Sequence, residues 1–193
     1  ATMLGFLTTD CAITTPMLQK ALKLAVDDTF NMVSVDGDTS TNDMVSIMAN
    51  GLAENPVIDS EGADFDTFLL VVKEICTSMA KKIAGDGEGA TKLVECSVHH
   101  APDTKLAKAI SKSIITSSLT KAAMFGADAN WGRILCAIGY TEGDFAVDTI
   151  SVTISSPKGE ILVCEKGAGV PFDEDKAKGI LLQEEIHIDV DMQ

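Results

Sequence analysis

Apolar positions along this chain switch between a strand period and a helix period several times. Met3 through Leu7 form a short apolar run of strand type, and Thr15 before Pro16 supplies an N-cap and a first-turn proline for a helix reaching about Thr29. Leu18, Leu22, Ala25 and Val26 share one face of that helix. Met32 to Val35 read as a second short strand, the polar stretch Asp36–Asp43 as a loop, and Met44 to Asn50 as a short helix ended by Gly51. The longest helix carries Phe65, Phe68, Leu69, Val72, Ile75, Cys76, Met79 and Ile83 and stops at Gly85-Asp86-Gly87; its wide apolar side predicts burial.

Val94, Cys96 and Val98 then alternate as in a strand, and Asp103 can cap a helix bearing Leu106, Ala109, Ile110 and Ile114. Asn130 is placed to cap another through Ile138. Ile150, Val152 and Ile154 alternate, Ile161 to Cys164 repeat the pattern, Asp173 can cap a short helix, and Ile186, Ile188 and Val190 alternate again. Those last strands predict an antiparallel or mixed sheet. With no internal repeat and no low-complexity linker, the expectation is one layered α/β body over 1–193, with a sub-domain boundary near 120–145.

Composition narrows the function classes. The chain has 193 residues, 46% hydrophobic and 23% charged, enough for a sizeable core in one domain or a large part of a composite one. Fifteen Lys and Arg against 29 Asp and Glu give a net charge of −14 with no basic run, so nucleic acid and anionic membrane are poor partners. No apolar stretch approaches the roughly 20 residues of a membrane span, and the start lacks the basic region of a signal peptide. The five cysteines, Cys11, Cys76, Cys96, Cys136 and Cys164, are odd in number and form no CxxC pair, which predicts reduced core thiols in a cytoplasmic protein. The opening Ala1-Thr2-Met3-Leu4 enters the first strand pattern directly and reads either as a trimmed start or as the product of processing.

Four places can carry chemistry. A threonine at a processed N-terminus can use its own α-amine as the base for its hydroxyl, which would make Thr2 a nucleophile once the bond after Ala1 is cut; otherwise Thr2 is an ordinary strand residue. Asp36–Asp43 concentrates short oxygen-bearing side chains, but lacks the sixth-position glycine and twelfth-position glutamate of a calcium loop, where Thr41 and Ile47 stand. Turn formation, capping of the next helix and orientation of a strand end near the active cleft are its preferred roles. Gly85 to Lys92 has three glycines around Asp86 and Glu88; these acids would repel phosphate, so a carboxylate receiving an ammonium group competes with a plain helix stop. Arg133, just inside the helix capped by Asn130, reads as a structural partner before a carboxylate binder. His99, His100 and His187 show no metal spacing with the cysteines and no Ser/His/Asp set assembles. No metal and no cofactor is expected.

Ala1-Thr2-Met3-Leu4 with Thr8-Thr9-Asp10, Val35 to Asp43, Gly87 to Lys92 and Phe125 to Ile134 resemble, in that order, the motifs of the ornithine acetyltransferase (bifunctional glutamate N-acetyltransferase) family of arginine biosynthesis. The resemblance covers the whole chain. It implies the β chain of an enzyme that cuts its precursor between Ala1 and Thr2, and a layered αββα sandwich completed by an α chain, as an α2β2 assembly in the cytoplasm. It implies Thr2 as catalytic and substrate-binding nucleophile, with its amine as base, taking the acetyl group of N-acetylornithine as an ester and passing it to glutamate by a ping-pong route. Acetyl-CoA is a further donor to consider. The resemblance makes Glu88 a substrate-binding residue. It places the oxyanion hole and a substrate-binding lysine in the α chain, and two more substrate-binding residues in a tail beyond Gln193. The alternatives are an amidase or aminopeptidase of the same cleaved-nucleophile type, in which water resolves the acyl-enzyme, and a non-catalytic calcium-binding module built on Asp36–Asp43.

Overall fold

The structure is a computed structural model and describes residues 2–193. The chain is mixed α/β and divides into two compact units, Ala1–Ala84 and Gly85–Gln193. The segment 120–145 lies inside the second of these.

The first unit is built on two parallel strands, β1 (Leu4–Thr9) and β2 (Met44–Ala49), paired from Leu4↔Met44 to Thr9↔Ala49. Helix α1 (Thr15–Asp28) follows β1, and helix α2 (Ala63–Gly85) follows β2. Leu7, Ala25, Phe30, Val72, Cys76 and Ala80 form the main core, joined by Met3, Val45 and Ile47, and a smaller cluster gathers Ala21, Ile58 and Phe65. Side chains alternate across a strand, so Leu7, Val45 and Ile47 face this core while Leu4, Phe6, Met44 and Met48 face away. These four remain 57%, 58%, 42% and 54% exposed. Parallel strands are ordinarily covered on both faces.

Three expectations for this unit need correction. Met44–Ala49 is a strand, not a helix. Both of its faces are apolar, so its periodicity is ambiguous, and the hydrogen-bonding slot beside β1 decides. Gly51 still needs its flexibility, with φ +75 just after the strand. Met32–Val35 is not a strand either: Phe30–Met32 make a 3-10 turn that buries Phe30, and Val33 N–H closes it on the Phe30 carbonyl at 3.1 Å. The long helix α2 is buried only along Phe65, Val72, Cys76 and Ala80, while Leu70, Val71 and Ile75 are exposed. The core of its own unit lines one side of it only.

The second unit holds a five-stranded mixed sheet in the order β3-β7-β4-β5-β6, from β3 (Leu93–His99), β4 (Ser151–Ser156), β5 (Gly159–Glu165), β6 (Ala168–Gly169) and β7 (Glu185–Asp191). β3 and β7 are parallel and the other pairs antiparallel, as the alternating segments predict. Helices α3 (Thr104–Thr116), α4 (Ser118–Phe125), α5 (Trp131–Gly139) and α6 (Glu174–Leu181) share one core with Val152, Ile154, Val163, Ile186, Ile188 and Val190. Capping works as read from sequence at three helices, where Asp103, Asn130 and Asp173 accept N–H groups of the first turns of α3, α5 and α6. It does not at α1, where Thr14 rather than Thr15 holds the N-cap position and makes no side-chain cap hydrogen bond. Ser117 caps α4 in the same way as the first three, which the apolar pattern does not predict. Trp131 lies so close to Gly169 that a Cβ there would meet its indole at 2.4 Å.

The opposite face of this sheet is polar. All three histidines stand at its β3/β7 end, each beside an acid: His99 with Asp189 at 3.4 Å, His100 with Asp191 at 2.7 Å and His187 with Glu95 at 3.4 Å. Of the cysteines, Cys76 and Cys164 are buried, Cys11 and Cys96 partly so and Cys136 is exposed; none is paired. Burial, with the charge of Asp189, pushes the Cys96 thiol up to about 12.

The His100 ring, and secondly the Gln193 N–H, hold the Asp191 carboxyl below the ordinary carboxylate range. A carboxyl depressed on folding adds stability above its unfolded pKa, and that contribution is lost as pH falls through the folded value. Asp191→Asn should therefore lower the denaturant midpoint at pH 7, and the gap to the parent should close as the pH falls through the lowered Asp191 value, below the ordinary carboxylate range. A gap independent of pH would assign the effect to packing.

Candidate active site

Thr2 sits exposed at the head of β1. Its surroundings come from the 36–43 loop because β1 and β2 run parallel, which brings the residues before each strand to the same end. Met3 N–H donates to Asp43 Oδ1 at 2.9 Å, and Met44 N–H donates to the Met3 carbonyl at 2.9 Å. The Thr2 hydroxyl lies 3.1 Å from Ser40 Oγ, and Ser40 Oγ also accepts the Asn42 N–H at 3.1 Å. At the start of the loop, Asp36 Oδ1 accepts the Asp38 N–H at 2.9 Å and Gly37 adopts φ +90. The loop thus forms turns and orients a strand end; the segment after it being a strand, it caps no helix. Ala1, the residue on the other side of the expected cut, lies outside the described residues.

Glu88 belongs to the second unit, on the glycine-bearing connection between α2 and β3. Ala90 N–H closes a turn on the Gly87 carbonyl at 2.8 Å, and Gly89 has φ +72. The Glu88 carboxylate is exposed and holds no hydrogen bond or ion pair among the described residues. At the loop's far end Lys92 Nζ donates to the Leu181 carbonyl and, at 3.4 Å, to that of Gln183. A cation there satisfies carbonyls left over at the C-terminus of α6. Desolvation lowers the Lys92 pKa. The sequence holds little signal for this anchor, since Leu181 is 89 residues away.

Arg133 Nη1 donates to the Leu119 carbonyl at 3.0 Å, tying α5 to α4, which is a structural contact. Among the described residues no group of three or more His, Cys, Asp and Glu side chains could hold a metal ion. No helix among them is long and apolar enough to cross a membrane.

The profile of the ArgJ family matches residues 1–193. The chain is similar to the arginine biosynthesis bifunctional protein ArgJ of Thermotoga neapolitana, at 48% identity over 193 residues, which make up 100% of this chain and 49% of that protein. The protein of the same description from Listeria monocytogenes serotype 4b is 50% identical over 192 residues, covering 100% of this chain and 47% of its own length. A crystal structure of arginine biosynthesis bifunctional protein argJ from Bacillus halodurans has TM-score 0.92 and 43% identity, over 98% of this chain and 88% of that one. The chain spans about half the length of the curated relatives it matches.

Lys92→Met keeps the apolar stem and removes the donor. We expect it to cost about 1.5–3 kcal/mol, the usual range for a hydrogen bond to a charged group, and to speed amide exchange at residues 85–92 and at the end of α6. Unchanged exchange in both segments would show that Lys92 is not what holds the loop.

Proposed function

This chain belongs to the ArgJ family, and from that premise we propose that it is the β chain of a self-cleaved acetyltransferase of arginine biosynthesis with Thr2 as its nucleophile. The observation that carries this reading is the Thr2 hydroxyl at the exposed head of β1, with the Met3 N–H, on the side away from the expected cut, held by Asp43. Cleavage after Ala1 frees the Thr2 α-amine. The amine takes the hydroxyl proton, and Oγ1 attacks the acetyl carbonyl of N-acetylornithine. Ornithine leaves, and the acetyl ester on Thr2 then passes to glutamate. Glu88, an unpaired carboxylate on an open loop, is suited to an ammonium group of either amino acid. In this reading the enzyme works in the cytoplasm.

The partner is an α chain made from the remaining length of the precursor, in an α2β2 assembly. A sheet of two strands is marginal by itself, and the bare face of Leu4, Phe6, Met44 and Met48 gives the α chain a surface to cover. Covering these half-exposed side chains is worth roughly 3–6 kcal/mol. The α chain supplies the oxyanion hole and a substrate lysine, completing the layered αββα sandwich.

Expression of the whole precursor should yield two chains that co-purify. Ornithine release from N-acetylornithine should then depend on glutamate; release without it points to an amidase. Thr2→Ala should abolish transfer and leave the precursor uncut, whereas Thr2→Ser should retain part of both. Near-normal turnover in Thr2→Ala would remove the reading. Glu88→Gln should weaken kcat/KM by about ten- to a hundredfold, as expected for a lost charge-assisted hydrogen bond, with the melting temperature unmoved. Unchanged kinetics would leave Glu88 a solvated acid.

A further inference from the structure

A second hydroxyl stands at the proposed nucleophile. Ser40 Oγ lies 3.1 Å from Thr2 Oγ1 and at the same time accepts the Asn42 N–H at 3.1 Å. A hydroxyl carries one proton and two acceptor sites, so the pair has two arrangements: Thr2 donates to Ser40, or Ser40 donates to Thr2. Attack requires the Thr2 proton to leave for the base. In the reactive arrangement Thr2 Oγ1 can therefore only accept from Ser40. The Asn42 N–H favours that direction, because donation into the Ser40 oxygen polarises its O–H and strengthens it as a donor. Both sides of the contact are tied: next to Thr2 the Met3 N–H is held by Asp43 and the Met3 carbonyl by Met44, and on the other side the Ser40 hydroxyl oxygen is held by the Asn42 N–H.

We infer that Ser40 is a further catalytic residue, the donor that stabilises negative charge on Thr2 Oγ1 whenever that oxygen attacks or departs. The inference rests on the reading of Thr2 as nucleophile. In acylation the Thr2 proton passes to the Thr2 α-amine, the Oγ1–carbon bond forms at the acetyl carbonyl, and the carbon–nitrogen bond of the donor amide breaks. The departing amine takes the proton from the Thr2 ammonium. In deacylation the acceptor amine forms the new amide and gives up a proton by way of the Thr2 amine, and the Oγ1–carbon bond breaks as Oγ1 is protonated. Ser40 keeps its own proton throughout; its hydrogen bond shortens when Oγ1 carries charge and relaxes when Oγ1 is an ester oxygen. The same oxygen attacks the preceding carbonyl when the precursor cuts itself, so Ser40 should act there too.

The alternative for Ser40 is a turn residue whose only task is to receive Asn42 N–H. Two variants of equal shape separate the roles, Ser40→Thr and Ser40→Val, which differ only in the hydroxyl. Both are made in the complete precursor and read for self-cleavage rate, steady-state transfer from N-acetylornithine to glutamate, and melting temperature. We expect Ser40→Val to cut itself, and to turn over, roughly ten- to a hundredfold more slowly than Ser40→Thr, the range for loss of one hydrogen bond to a charged oxygen, with KM for both substrates little changed and equal melting temperatures. A valine variant that stays uncut while the threonine variant cleaves, both melting alike, also supports the inference. Equal cleavage and kcat in the two, or a difference confined to KM or melting temperature, would overturn it. Intact mass of this chain after N-acetylornithine without glutamate tells the two readings apart. No acetyl adduct on the parent removes Thr2 as nucleophile, whereas an adduct that forms equally fast in the valine and threonine variants removes Ser40 alone.

Discussion

The parallel register of β1 against β2 is the constraint on which the candidate site depends. With Leu4 opposite Met44, the residues that precede the two strands meet at one end, where the Thr2 hydroxyl finds Ser40 and the Met3 N–H finds Asp43 without any other element intervening. An antiparallel pairing of the same six residues would put Thr2 against the far end of β2 and carry the 36–43 loop about 20 Å away. Parallel pairing in turn requires a crossover, and α1 with its 3-10 turn provides the length to return to the starting end. A polar contact at the Thr2 hydroxyl is thus a consequence of strand direction.

The two units satisfy their apolar residues differently. In the second, four helices close over one face of the sheet, and the other face is left to Glu95, Ser97, Asp189, Asp191 and the histidines, which tolerate water. In the first, α1 and α2 close over one face of β1 and β2, and the other face carries Leu4, Phe6, Met44 and Met48. An apolar face of this kind is unusual on a free monomer. Here it continues the strand whose head holds Thr2, so the apolar face and the Thr2 hydroxyl share one strand.

Sequence reading succeeds here where one local rule decides. Asp103, Asn130 and Asp173 cap helices because a short acceptor before an apolar period leaves few other arrangements. Ile186, Ile188 and Val190 alternate because one face of β7 is core. It fails where two periods fit equally. Met44–Ala49 is apolar on both faces, so only the vacant edge of β1 settles it as a strand, and that edge is 40 residues away in sequence. The 36–43 loop is legible as turn chemistry near a strand end, but the partner of each oxygen is not: Ser40 to Thr2 and Asp43 to Met3 are contacts of high sequence separation. Lys92 is similar, reading as a charge at the end of a loop until α6 supplies the carbonyls it meets. The exposure of Leu70, Val71 and Ile75 on α2 escapes a periodicity argument because the pattern gives the width of an apolar face, not what covers it.

Strand order in the second unit governs how the chain emerges during synthesis. β7, residues 185–191, lies between β3 and β4, so among the described residues it follows the other strands of its sheet in the chain and joins the two halves of that sheet. Until it leaves the ribosome, β3 has no neighbour on that side, and the β4-β5-β6 meander ends in an open edge. Helix α3 meanwhile has only β3 and the helices α4 and α5 to rest on. Such intermediates expose apolar strand edges for as long as translation takes to reach residue 191. A nascent chain stalled before that point cannot close its sheet, however good its local propensities are.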